Sequence, residues 1–270
     1  MGRYLLCGKE AEIPFEVEEL DIRLYTIEEL CYYIYHNLPL VGDDFISERL
    51  LHFIRHELEM PENADKIERF YSSPSDQDST LFMLLSEVGY YTEYDMQEFQ
   101  NRLVFRRRKN GPERVRYKAD SLMEKKRYLG AIRCYKTLVT GERDGRISAQ
   151  FYAEVLESIA NCYGKLCQFE QALEYLEKAY DQVGSERLLK KIYDVTVLSG
   201  QDLPEKYFSR CTDQKLSEWQ QSYWNREAVI KGSLDEEPAM QMFLHAPAVM
   251  NVELKQYVEQ KKELFRGMLE

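Results

Sequence analysis

Apolar residues recur along most of this chain at spacings of three and four, the period of an α-helix that buries one face. Leu30, Ile34 and Leu38 form one such face up to Pro39, and Phe45, Leu50, Leu51, Ile54 and Leu58 form a second that Pro61 ends. A short helix follows over 64–71, then a loop over 72–76, and helices resume near Ser79 with Leu81, Leu84, Leu85 and Val88 before Gly89. Phe99, Leu103 and Val104 make a further face, stopped by Asn110-Gly111-Pro112. Thr26-Ile27-Glu28-Glu29 reads as a capping box in which Glu29 reaches back to the Thr26 amide, so a helix starts at Ile27. Only the opening departs from this period: Tyr4–Cys7 and Ile22–Tyr25 read as strands of a small β element.

The most regular pattern lies between Glu113 and Gly184. Leu156, Ile159, Ala160, Tyr163, Ala172, Leu176, Ala179 and Gly184 alternate bulky, small and aromatic positions. Small Ala160 and Ala172 let two antiparallel helices approach closely while Leu156, Tyr163 and Leu176 fill the space between them. In this window the sequence resembles the tetratricopeptide repeat family. Val115, Ala119, Leu122, Ala131, Tyr135 and Val139 repeat the scheme less faithfully, with Lys118 where the family has Leu, and 141–146 reads as a lengthened loop between the two windows. The two windows cover about a quarter of the chain, and because such units need about three for stability, flanking hairpins over Leu81 to Val104 and Leu188 to Cys211 are expected to complete the stack.

Downstream, Ser185 is expected to cap a helix through Leu198 that Gly200 closes, Pro204 opens a short one, and Asp213 caps another that runs to Gly232. A last helix from Pro247 carries Met250, Leu254, Tyr257, Leu264 and Met268 on a narrow apolar seam. The expected architecture is mainly α, a right-handed α-solenoid of helical hairpins with a small N-terminal β element. It divides into an acidic region 1–110, repeats over 111–212 and C-terminal helices over 213–270 that cap the stack or pair with a second copy.

Charge sharpens this division. Residues 1–100 hold 7 Lys and Arg against 22 Asp and Glu, while residues 101–146 hold 15 against 5. Arg106, Arg107, Arg108, Lys109 and Arg114 concentrate the basic band of 102–127, which is suited either to phosphates or to docking on the acidic third in cis. The cis partner makes nucleic acid the lesser reading. Six cysteines without a CxxC, no cleavage-type N-terminal segment and no long apolar run lead to the expectation of a cytoplasmic protein with reduced thiols and no membrane span. Cys162 and Cys167 read as small core residues, and His52 and His56, one turn after Glu48, read as surface histidines, so no metal and no cofactor is expected.

No GxxxxGK[ST], GxGxxG or GxSxG occurs, and the carboxylate pairs of the acidic third read as solvated or capping. The resemblance instead implies a protein or peptide partner lying in a concave groove lined by the first helix of each repeat. By position that groove would hold Arg116, Asp120 and Glu124 from the first window and Glu157, Asn161 and Lys165 from the second. Acidic Asp120 argues against a carboxylate-gripping version of it. The chain therefore reads as an interaction scaffold; a peptide- or nucleic-acid-responsive regulator using the basic band is the alternative, and an enzyme with an unrecognised site comes third.

Overall fold

Alternation in Phe15-Glu16-Val17 directs Phe15 and Val17 to one side, and the chain uses this to start its first core. A computed structural model describes residues 9–71, 77–140, 145, 147–235 and 251–269. The expected strand Tyr4–Cys7, the loop 72–76, most of the loop 141–146 and Pro247 with Met250 lie outside these residues. Strands β1 (Phe15–Val17) and β2 (Ile22–Leu24) pair antiparallel, with Phe15 opposite Leu24 and Val17 opposite Ile22. Phe15, Val17 and Leu24 are buried, and Asp21 turns the connection in a left-handed conformation at φ 50°.

Helix α1 (Ile27–His36) begins as its cap dictates: Thr26 Oγ1 accepts from the Glu29 amide at 3.2 Å. Glu29 reaches one residue further back than expected, accepting from the Tyr25 amide at 2.6 Å. Helix α2 (Glu48–His52) continues into a π-helical turn over Phe53–Glu57, in which the Leu58 amide donates to Phe53 O at 3.0 Å. Pro61 does more than end that segment, because it opens α3 (Pro61–Tyr71), where its missing N–H has no partner to lose. α4 (Gln77–Val88) is closed by Gly89 at φ 66°, and α5 (Glu93–Arg107) starts on a capping box of Thr92 and Asp95. Phe99 and Leu103 of α5 are buried as expected, whereas Val104 faces solvent.

Asn110-Gly111-Pro112 is a helix start. Asn110 and Glu113 cap one another reciprocally at 2.9 Å, and α6 (Gly111–Glu124) follows with Pro112 in its first turn, where proline is tolerated. The chain divides into two compact units between Leu122 and Met123, so the division falls inside α6.

In the second unit α7 (Tyr128–Thr140) packs on α8 (Ala149–Lys165), α8 on α9 (Phe169–Val183), and α9 on α10 (Glu186–Leu198). The closest of these packings is the α8–α9 hairpin. Its turn is the three residues Leu166-Cys167-Gln168, in which exposed Cys167 takes φ 57°, so this cysteine is a turn residue while Cys162 is buried. Ala160 and Ala172 are 2% and 1% exposed. Gly184 ends α9 in the left-handed conformation, its amide bonded to Tyr180 O at 2.7 Å.

Beyond α10, the short α11 (Glu205–Phe208) brings buried Tyr207 edge-on to Tyr180, with centroids 5.6 Å apart. α12 (Asp213–Asp235) meets α10 through Tyr193 against Trp219 and an Arg226–Asp194 ion pair at 2.7 Å. Two caps differ from expectation: Ser185 makes no side-chain cap bond, and Thr212, not Asp213, accepts from the first turn of α12. α12 also continues past Gly232 to Asp235. α13 (Asn251–Leu269) packs on α7, and Arg127 donates to Gly267 O at 2.8 Å. Among the described residues no helix is long and apolar enough to cross a membrane.

Both tryptophans, Trp219 and Trp224, belong to the second unit, so their fluorescence reports its unfolding. Ala172→Leu forces extra methylenes into the α8–α9 crossing and is expected to destabilise this unit by about 1–3 kcal/mol. An unchanged fluorescence melt would mean that the two helices do not cross closely there.

Candidate functional site

Glu157, Asn161 and Lys165 recur every four residues and therefore form one stripe on α8. The stripe is not uniform. The Glu157 side chain is only 8% exposed and is held by α10: Arg187 donates to both carboxylate oxygens at 2.5 Å, and Lys191 Nζ lies 2.6 Å from Oε1. Burial pushes the Glu157 pKa up, but the hydrogen bonds from Arg187 and Lys191 outweigh it and hold the carboxyl below its ordinary value. A residue expected to face a ligand thus joins two helices of the fold. Asn161 and Lys165 are exposed, with Asn161 Oδ1 3.5 Å from Lys191 Nζ.

Around them Arg187, Lys191 and Lys165 supply positive charge; Glu157 pairs with Arg187 and Lys191, and the charge of Glu154 also acts on Arg187. The aromatic position of the repeat, Tyr163, is occupied too. Its hydroxyl accepts from Lys136 of α7 at 2.9 Å, and the ammonium lies 5.5 Å and 5.7 Å from the stacked rings of Tyr163 and Tyr175. The hydrogen bond that Lys136 donates to Tyr163 raises the Lys136 pKa, so a charged ammonium fastens α7 to α8 and α9.

The other three groove candidates lie on α6. Arg116 and Asp120 sit one turn apart with N and O at 3.9 Å and belong to the first unit, while exposed Glu124 falls just past the division. Arg187 and Lys191 were not found from the sequence. Their only signal is a spacing of four on a helix one hairpin beyond Glu157.

In the first unit the basic band folds onto acids of its own unit. Buried Asp78 on α4 accepts from Arg106 and, at 2.9 Å, from Arg107, both on α5. Arg106 also donates to the carbonyls of Leu38 at 3.2 Å and Val41 at 2.9 Å, and burial draws its pKa below the ordinary guanidinium value. Lys118 pairs with Glu19 at 3.1 Å. Lys109 lies 4.2 Å and 5.1 Å from the rings of Phe105 and Tyr117. Arg108 and Arg114 remain exposed, and Arg114 Nε donates to Lys109 O at 3.2 Å. Asp43, Gln77, Asp78, Arg106, Arg107 and Arg114 line a cleft of about 150 Å³.

The rings of His52 and His56 lie tilted against one another with centroids 4.6 Å apart, and no cluster of three or more metal-ligating side chains occurs among the described residues. The five described cysteines are free. No protein-family model matches the chain, and no curated protein and no solved structure matches it.

Because the folded-state pKa of Glu157 lies below its unfolded value, its contribution is complete at neutral pH and disappears as pH falls through the folded value. Glu157→Gln is expected to cost about 1–2 kcal/mol at neutral pH, a range that allows for the solvent around Arg187. The gap between variant and wild type, followed by tryptophan melts, should close as pH drops below about 4.3. A gap independent of pH would contradict the ion triad. In the first unit, Asp78→Ala leaves buried Arg106 without its acid and is expected to cost about 3 kcal/mol, seen as earlier loss of helical circular dichroism.

Proposed function

We propose that this chain is a protein-binding scaffold: a right-handed solenoid of tetratricopeptide-like hairpins that receives an extended partner segment along the exposed faces of α8 and α10. The observation that carries the reading is the tightly crossed α8–α9 hairpin flanked by α7 and α10, beside an exposed polar stripe with Asn161 and Lys165. Stacked hairpins of this kind bind through extended surfaces and need no catalytic constellation. Glu157 and Glu154 together offset two of the three cationic groups Lys165, Arg187 and Lys191, and no ion pair of Lys165 occurs among the described residues, so an acidic partner segment is the better fit. Free cysteines accord with a cytoplasmic setting. The regulatory reading through the basic band is weaker, because Arg106 and Arg107 share Asp78, and Lys118 is held by Glu19.

The test separates binding from folding. Asn161→Ala combined with Lys165→Ala removes two exposed side chains and should move stability by no more than about 0.5 kcal/mol. The double variant is expected to lose a partner that co-purifies with the wild-type chain from its native cell. Retention of the full partner set by this variant, with loss from Glu174→Ala on α9, would place binding on the α9 face and overturn the assignment.

A further inference from the structure

The cleft of the first unit, between the segment around Asp43 and helices α4, α5 and α6, holds charged groups whose needs are unevenly met. Asp78 is occupied twice, by Arg106 and Arg107, and Arg106 is further anchored on two carbonyls. Three other groups are left. Arg114 gives its Nε to Lys109 O, and its terminal nitrogens take no partner among the described residues. Exposed Asp43 forms no hydrogen bond or ion pair among them either, and no ion pair joins it to Arg114 across the cleft. Gln77 Oε1 is buried without a hydrogen-bond partner. Its orientation is fixed, because Gln77 Nε2 donates to the Gly42 carbonyl, and a reversed amide would set two oxygens against each other.

The cleft therefore offers one cation and one carboxylate that form no ion pair among the described residues, the carboxylate's charge also acting on Arg106, and one buried acceptor, around a space sized for a molecule of several non-hydrogen atoms. A phosphate dianion matches this poorly: it would meet a single uncommitted guanidinium and an unpaired carboxylate. A molecule carrying one negative and one positive group a few bonds apart satisfies all three. We propose that this cleft binds a small α-amino acid as its zwitterion, with the carboxylate on Arg114 and the ammonium between Asp43 and the Gln77 carbonyl oxygen. The ammonium supplies the donors that Asp43 and Gln77 lack, and Arg114 presents its terminal nitrogens as a fork to the carboxylate. The site is independent of the α8 and α10 faces.

Isothermal titration calorimetry of the full chain at neutral pH tests this with the twenty L-amino acids, acetate, methylammonium and inorganic phosphate as titrants. At least one small amino acid is expected to bind saturably, with acetate and methylammonium, each carrying only one of the two charges, at least about tenfold weaker. Arg114→Gln and Asp43→Asn should each weaken that amino acid by about tenfold or more, with unchanged circular dichroism because both side chains are exposed. The proposal is overturned if no amino acid binds, or if binding is indifferent to both substitutions. It is equally overturned if phosphate is the preferred titrant and Asp43→Asn strengthens it, since the cleft is then a plain oxyanion site.

Discussion

The second unit depends on the packing of α8 on α9, in which small Ala160 and Ala172 are both buried. With almost no side chain at these two points, the helices come near enough for Leu156, Leu176, Ala179 and Tyr180 to close one core with Leu188 and Ile192 of α10. α7 and α10 then take their places on either side, Lys136 fastening α7 to the hairpin through Tyr163 and Tyr175. Asn161 and Lys165 of the α8 stripe are exposed while the opposite face of the same helix is engaged in the core. Fold and proposed binding face are thus two consequences of one packing contact.

Each unit also settles a buried acid in the same way, by sharing it between two cations from another helix. Glu157 receives Arg187 and Lys191, and Asp78 receives Arg106 and Arg107. A buried carboxylate without such partners would be costly, and with them it fixes how two elements meet. The same arrangement decides which charges remain for partners. Lys165 on α8, and Arg114 and Asp43 in the cleft, form no ion pair among the described residues, while the cations beside them share one buried acid in each unit.

Much of the helical order was legible in the sequence, since a burial period of three to four is local information. Thr26, Gly89, Gly184 and Gly200 mark ends that local sterics decide, and Ala160 and Ala172 are buried on the two packed helices. The misreadings have physical causes. Pro61 and Pro112 read only as stops, and the helices before them do end, but each also lies in the first turn of the next helix, a position to which proline is as well suited as to an interruption. β1 is three residues long, too short for its alternation to stand out. Glu157 fell on the stripe of a presumed groove, yet whether a helical carboxylate faces solvent or a neighbouring helix depends on residues some 30 positions away, which no local pattern carries. The cleft was invisible for the same reason, because it joins Asp43, Gln77 and Arg114 from separate segments.

The most direct measurement is site-specific photocrosslinking in the native cell. A benzophenone side chain placed at position 161 looks out from α8, and one placed at position 174 looks out from α9, where Glu174 is exposed. A scaffold that holds its partner along α8 and α10 yields a discrete crosslinked protein from position 161 and none from position 174. Crosslinks from 174 alone, or none from either position, would contradict it.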